Sequence, residues 1–218
     1  MLDAPHESRK PPSRGDVAAA RDLAHRIFVM QDDRPEDLAD VEVAVLDPFV
    51  RSLLVTDGTV TRALEVHTLE RVTVEVVSQS MAPTPGRSAR CLEIEPGTES
   101  VRRRVVMTVG DSSTHSVCAE SFIVPERLPG DFLGTLAHSS EGIGEALQQV
   151  LLESWRELLW FGLGRAPEWA PIVPTPTVLT RVYRVMTAGH AALLIAESFA
   201  LELTSDTHHL AGMSNSDS

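Results

Sequence analysis

The sequence has little of what several functional classes require. Of its 19 basic residues only Lys10 is a lysine, and the net charge of -12 argues against general binding to nucleic acid or to anionic membranes. Two cysteines, Cys91 and Cys118, are too few for a disulfide framework or a cysteine metal site. We find neither a signal-peptide pattern nor a run of about 18 apolar residues, so we expect a cytoplasmic protein without a membrane span.

Recognisable motifs for cofactor or nucleophile chemistry are also lacking. The eight histidines form no ligand set, so no metal site is expected. The glycines of 142–144 and 162–164 do not have the spacing of a dinucleotide fingerprint. No nucleophile-elbow pattern surrounds a serine, and Cys118 is interpreted as a core residue. The residues alone therefore do not indicate a metal site, a dinucleotide site or a serine nucleophile.

The length of 218 residues fits one domain. Residues 1–15 and 205–218 are polar and are expected to be disordered tails around a single domain at 16–204. The order of elements, with antiparallel strand pairs and flanking helices, predicts the α+β class with one antiparallel sheet. Helices are predicted at 16–30, with Asp16 as N-cap, and at 60–67, with Thr59 as N-cap. Further helices are predicted to begin at Pro48 and to span 131–138 and 141–159. Strands are predicted at 71–79, 91–94, 100–109, 116–125, 178–186 and 191–203.

The last predicted strand carries a carboxylate on an apolar face. Side chains alternate along a strand, so Glu197 shares its face with Leu193, Ile195 and Phe199. A carboxylate in such surroundings costs several kcal/mol unless it is protonated or paired. Glu197 is therefore a candidate functional residue.

The strand at 100–109 carries the opposite charge in the same kind of position. Arg103 is the one cation on a face that it shares with Val101, Val105 and Met107. Two interpretations stay open. Arg103 and Glu197 form an ion pair within the core, or they line a closed pocket for a small anion, whose charge Arg103 recognises and whose hydroxyl or proton Glu197 contacts.

Five stretches together resemble the chorismate lyase family, over roughly residues 45–203. The similarity is strongest to the branch of chorismate pyruvate-lyases that forms 4-hydroxybenzoate in actinobacteria and cyanobacteria. The resemblance implies an antiparallel sheet of the chorismate lyase/UTRA-like type, a buried ligand pocket and no cofactor. The stretches are LLVTDGTVTRALE (53–65), VRRRVVM (101–107), SVCAESFIVPERLP (116–129), EGIGEAL (141–147) and LLIAESF (193–199).

The resemblance also implies roles for individual residues. A buried arginine of the family binds the ring carboxylate, and Arg103 matches it, with Arg104 as the alternative if the register differs by one. A glutamate that contacts the 4-hydroxyl matches Glu197. The backbone amides that hold the carboxylate match Val60, beside Thr61, and Ile143.

Ser121 stands where a distant branch of the family has a second arginine. The residue that would bind the pyruvyl carboxylate is therefore open, with Arg181 or Arg184 as candidates.

Three functions follow from these observations. The first is a chorismate pyruvate-lyase that forms 4-hydroxybenzoate and pyruvate, acting on a small molecule, as a monomer or a weak homodimer. The second is a non-catalytic module that binds a small aromatic acid, like the effector domains of some transcription regulators. The third is a lyase for a modified chorismate.

Overall fold

Six antiparallel strands form one sheet in the order β1-β2-β3-β6-β5-β4. The computed structural model describes residues 14–112, 116–138, 142–170 and 177–200. Two three-stranded meanders meet where β3 pairs with β6, so the centre of the sheet joins the two halves of the chain. This confirms the predicted α+β class with a single antiparallel sheet. The strands are β1 (Val72–Pro83), β2 (Glu99–Val109), β3 (Val117–Ile123), β4 (Trp155–Arg165), β5 (Thr177–Thr187) and β6 (His190–Ala200).

The helices lie between and before the strands, and local sequence explains where one of them begins. Pro48 opens α2, as predicted, and the Asp47 carboxylate accepts a hydrogen bond of 2.7 Å from the backbone N–H of Phe49. Thr59 stands at the N-cap position of α3, but its side chain makes no capping bond. The helices are α1 (Arg14–Ile27), α2 (Pro48–Val55), α3 (Val60–Thr68), α4 (Gly86–Leu92), α5 (Phe132–His138) and α6 (Ile143–Gln149).

Two core clusters on one face of the sheet leave a gap between them. One packs Leu53 of α2 and Leu64 of α3 against Val105 and Phe199 of the sheet. The other packs the helices α5 and α6 against β5 and β6. Burial of such apolar side chains contributes about 25 cal/mol per Å². The site described below occupies the gap between these clusters.

The predicted helix at 141–159 is wrong over its second half. Helix α6 ends at Gln149, and β4 runs from Trp155 to Arg165. A register shift between Leu158 and Trp160 interrupts the two-residue alternation of β4, so its apolar residues imitate helical spacing. Trp155 and Trp160 therefore belong to a strand.

Other boundaries also differ from the predictions. The short strand predicted at 91–94 is wrong, because Cys91 and Leu92 end helix α4 and are buried in the core. Helix α1 begins at Arg14, which places Asp16 inside it rather than at its N-cap, and places 14–15 in a helix rather than in a tail. The remainder of the predicted tails and the end of the last predicted strand, 201–203, lie outside the described residues. No helix of the described ranges is long and apolar enough to cross a membrane.

Candidate active site

The strand register places Arg103 and Glu197 on the same face of the sheet. Arg103 lies opposite Ser121 of β3, and Glu197 lies opposite Ala119 of the same strand. Ser121 and Ala119 are two residues apart, so both side chains leave the sheet on one side. The two charges that alternation singled out separately are therefore neighbours.

A pocket opens above these two residues. Its floor includes Arg103 and Glu197, and its rim includes the residues 58–61 before and at the start of α3 and the residues 142–144 at the start of α6. The predicted binding residues Val60, Thr61 and Ile143 all line it. The first N–H groups of a helix have no partner within the helix, so the amides of Val60 and Ile143 are suited to an anion.

Glu197 is held from two sides. Its Oε2 accepts a bond of 2.7 Å from Nε of Arg181, and its Oε1 accepts one of 3.0 Å from the hydroxyl of Tyr183. The interpretation of an Arg103–Glu197 core ion pair is therefore wrong, since the cation that pairs with Glu197 is Arg181. A carboxylate has about four acceptor positions, so Glu197 keeps capacity for a ligand in the pocket.

Arg103 is buried, and no carboxylate of the described residues pairs with it. It is 2% exposed, and its Nη1 donates a bond of 2.5 Å to the side-chain oxygen of Gln79. Burial lowers the pKa of its guanidinium from the usual value. Its Nη2 has no hydrogen-bond partner within the described part of the chain. A buried, unpaired cation beside a pocket is the arrangement that a bound anion would complete.

Unsatisfied polar atoms gather at this pocket. Five buried side-chain nitrogen or oxygen atoms of the described residues have no hydrogen-bond partner. Three of them, on Thr59, Arg103 and Arg156, belong to residues that line the pocket. Buried polar groups are paired in most proteins, so this concentration points to a ligand-binding site.

The other arginines named from the sequence are occupied elsewhere. Arg104 lies on the opposite face of β2, where its Nε donates 2.7 Å to Glu120, and it does not line the pocket. Arg184 is bound to Glu157 and Glu93. Arg181 is fully buried and is bound to Glu197 and to backbone oxygens at the end of α2. Neither candidate for the pyruvyl carboxylate has its cation in the lining of the pocket.

Sequence reasoning missed two polar residues of the site. Arg156 of β4 and Tyr183 of β5 both line the pocket. Arg156 was hidden by the erroneous helix at 141–159. The alternation of β5 places Tyr183 on the same face as Arg181, but a tyrosine among apolar strand residues is ordinary core composition.

The arrangement suits a small dianion that also carries a hydroxyl. Among the described residues that line the pocket, the charged ones are Arg103, Arg156 and Glu197. No group of three or more His, Cys, Asp or Glu residues in the described ranges is arranged to hold a metal ion. Two guanidinium groups can bind two carboxylates, and Glu197 can accept a hydrogen bond or a proton.

In sequence, this chain is similar to proteins that are named as lyases. The family model described as "Chorismate pyruvate-lyase Rv2949c-like" matches residues 54–206. A curated relative from Mycobacterium tuberculosis (strain ATCC 25618 / H37Rv), named chorismate pyruvate-lyase, is 26% identical over 178 residues, which cover 79% of this chain and 89% of the relative.

A second relative of the same name, from Mycobacterium leprae (strain TN), is 26% identical over 175 residues, covering 78% of this chain and 82% of the relative. Among solved structures, a GntR-family transcriptional regulator from Bacillus cereus matches with a TM-score of 0.48 at 12% identity, over 62% of this chain and 94% of that one.

Proposed function

The chain belongs to the Rv2949c-like chorismate pyruvate-lyase family, and on that premise we propose that it converts chorismate into 4-hydroxybenzoate and pyruvate in the pocket over β2 and β6. One observation carries the proposal. A buried guanidinium, Arg103, presents an unpaired donor to a pocket that also contains the carboxylate of Glu197. A ring carboxylate and a ring hydroxyl are the two groups that such a pair would recognise.

In this proposal Arg103 binds the carboxylate on the ring of chorismate. Its free Nη2 supplies a charge-assisted hydrogen bond, and the amides of Val60 and Ile143 supply two more from the rim, as the family resemblance implies. Charge-assisted bonds inside a pocket that excludes water are stronger than the same bonds in water. These contacts fix one orientation of the ring.

The reaction is an elimination that aromatises the ring. The ring carbon that bears the 4-hydroxyl loses its proton, and the electrons of that C–H bond form the new double bond of the ring. The C–O bond between the ring and the enolpyruvyl group breaks, and its electron pair leaves with the enolpyruvate oxygen. The released enolpyruvate takes up a proton and becomes pyruvate. Because aromatisation drives the step, the protein needs mainly to hold a reactive conformer and to stabilise the charge that develops.

Glu197 contacts the 4-hydroxyl in this arrangement. Arg181 and Tyr183 each bind one of its oxygens, at 2.7 and 3.0 Å, so the carboxylate is oriented before the substrate arrives. From there it accepts the hydroxyl hydrogen bond or moves a proton during the elimination. General acid–base catalysis of this kind contributes typically 10²- to 10⁴-fold to a rate, roughly.

The first test is incubation of the purified protein with chorismate in the presence of a chelator, without added nucleotide. Pyruvate is followed by a coupled dehydrogenase and the aromatic product by chromatography. Equal amounts of pyruvate and 4-hydroxybenzoate are expected. Intact chorismate together with tight binding of 4-hydroxybenzoate would instead indicate a binding module, and a different aromatic product would indicate a lyase for a modified chorismate.

The role of Glu197 is tested with Glu197→Gln. Glutamine keeps the shape but cannot take up a proton, so kcat is expected to fall about 100-fold. Glu120→Gln, on the opposite face of the neighbouring strand, is the matched control and should keep kcat within about threefold, since Glu120 pairs with Arg102 and Arg104 outside the pocket. Full activity of a folded Glu197→Gln protein would refute the assignment.

The proposal extends to the setting of the reaction. It needs no cofactor and no nucleic-acid partner, and it operates in the cytoplasm, as a monomer or a weak homodimer. Full turnover in the chelator assay and a mass measurement by light scattering test the first and last of these points.

A further inference from the structure

The pocket contains one cation more than the roles above use. Chorismate has two carboxylates, and Arg103 accounts for the one on the ring. Among the described residues of the lining, the second cation is Arg156. We propose that Arg156 binds the carboxylate of the enolpyruvyl group, an inference that rests on the lyase function proposed above.

Arg156 is held in place from outside the pocket. It is the second residue of β4, and its Nη1 donates to the backbone oxygen of Asp57 and lies 3.4 Å from the carboxylate of the same residue. Its guanidinium carbon lies 5.8 Å from the centre of the Tyr183 ring. The side chain is 16% exposed. A guanidinium fixed in this way needs little reorganisation to bind an anion.

Unused donors accompany Arg156 at one corner of the pocket. Nε of Arg156 and the hydroxyl of Thr59 are buried without a hydrogen-bond partner in the described part of the chain. Both residues lie against Gly144, because a Cβ there would be 2.3 Å from Cγ2 of Thr59 and 3.5 Å from Nη2 of Arg156. A carboxylate would accept hydrogen bonds from both residues.

The same corner faces outward. Arg156 and Gly144 also line a second, open groove along α6 and the loop after it, together with Leu147 and Gln148. The carboxylate that Arg156 binds therefore lies at the end of the pocket that adjoins this groove. This orientation places the leaving group nearest to solvent and the ring over Arg103.

A purely structural role for Arg156 makes a different prediction. Its bonds to Asp57 tie β4 to the loop before α3, and that loop leads directly into Val60, the first residue of the helix. If this tie were the whole role, its loss would disturb the amide of Val60 and weaken every ligand that uses it. The product 4-hydroxybenzoate has a ring carboxylate but no enolpyruvyl carboxylate, so it separates the two roles.

The test compares both ligands in Arg156→Met. For this variant we expect KM for chorismate to rise roughly 10- to 100-fold, the effect of a lost charge-assisted hydrogen bond. The Kd of 4-hydroxybenzoate, measured by calorimetry, should stay within about twofold of the unaltered protein. Arg62→Met is the matched control, because Arg62 is an exposed cation of α3 that pairs with Glu145 and does not line the pocket. It should leave both constants within about twofold.

Each outcome is decisive. A parallel loss of affinity for both ligands would assign Arg156 to the structural tie, and an unchanged KM would refute its contact with substrate. Absence of turnover by the unaltered protein would instead refute the lyase function, and the Kd of intact chorismate would then replace KM in the same comparison. Partial recovery of KM in Arg156→Lys is expected, because lysine keeps the charge without the planar fork.

Discussion

Arg181 and Arg103 lie buried on the same face of the sheet, and they differ in how completely their donors are used. Arg181 is 0% exposed and Arg103 is 2% exposed. Arg181 pairs with Glu197 and also donates to backbone oxygens of Leu53, Leu54 and Thr56. Among the described residues, Arg103 donates to the neutral side chain of Gln79 and has no carboxylate partner. Each also has a buried Nη2 without a partner in the described ranges. The two residues are therefore buried alike, and they differ in that the charge of Arg181 is paired with the carboxylate of Glu197.

Arg181 holds other parts of the site in place, whereas Arg103 is available to bind a ligand. The carbonyls that Arg181 binds are at the C-terminal end of α2, where backbone oxygens have no partner within the helix and a cation is favoured. Arg181 thereby fixes Glu197 and the loop before α3 together. Arg103 leaves its charge uncompensated on the pocket side, which costs stability in the absence of a ligand.

The largest effect is expected for Arg181→Met, which removes the arginine that is paired with a carboxylate. The change leaves the buried carboxylate of Glu197 without its cation and frees the end of α2, so the free energy of unfolding should fall by about 3–5 kcal/mol. Urea denaturation measures this loss. Arg184→Met, on the opposite face of the same strand, is the control and should cost about 1 kcal/mol. If Arg181→Met lowered the free energy of unfolding no more than Arg184→Met, Arg181 would not have the structural role assigned to it.

The second-largest effect is expected for Arg103→Met, which should impair activity rather than stability. Removal of an unpaired buried charge should leave the melting temperature unchanged or raised. The kcat/KM for chorismate should fall about 100-fold or more, because the ring carboxylate loses its charged partner. Arg104→Met, one residue along β2 and outside the pocket, should keep kcat/KM within about threefold. A destabilised Arg103→Met protein with normal activity would show that Arg103 is structural.

The sequence predicted those site residues whose signal lies within a single strand. Strand alternation alone was sufficient to isolate Arg103 and Glu197, because a single charge among apolar residues of one parity is a local signal. The amides of Val60 and Ile143 came from the family resemblance. The structure places all four at one pocket.

The partner of Glu197 was not predictable in the same way. Arg181 reaches Glu197 through the pairing of β5 with β6 and reaches the end of α2 across 125 or more positions of sequence. Arg156 was missed because the register shift in β4 breaks the period of two, so the spacing of apolar residues resembled that of a helix. Both failures concern register and long-range pairing, which one sequence specifies only through the whole fold.

The smallest effect is expected for Tyr183→Phe, which removes one hydrogen bond to Glu197 while Arg181 remains. The ring and its contact with Arg181, at 5.0 Å, are kept, so the free energy of unfolding should fall by only about 1 kcal/mol. Burial, reinforced by the charge of Glu197, raises the pKa of the Tyr183 phenol above its usual 10.0.

The neutral phenol is therefore favoured in the folded protein, and its contribution to stability is fully present below pH 10 and declines above it. The difference in unfolding free energy between the unaltered protein and Tyr183→Phe should accordingly shrink between pH 8 and about pH 10.5, as measured by urea denaturation at both values. A difference that stays constant would mean that Tyr183 titrates alike in the folded and unfolded chains, and that Arg181 alone holds the Glu197 carboxylate.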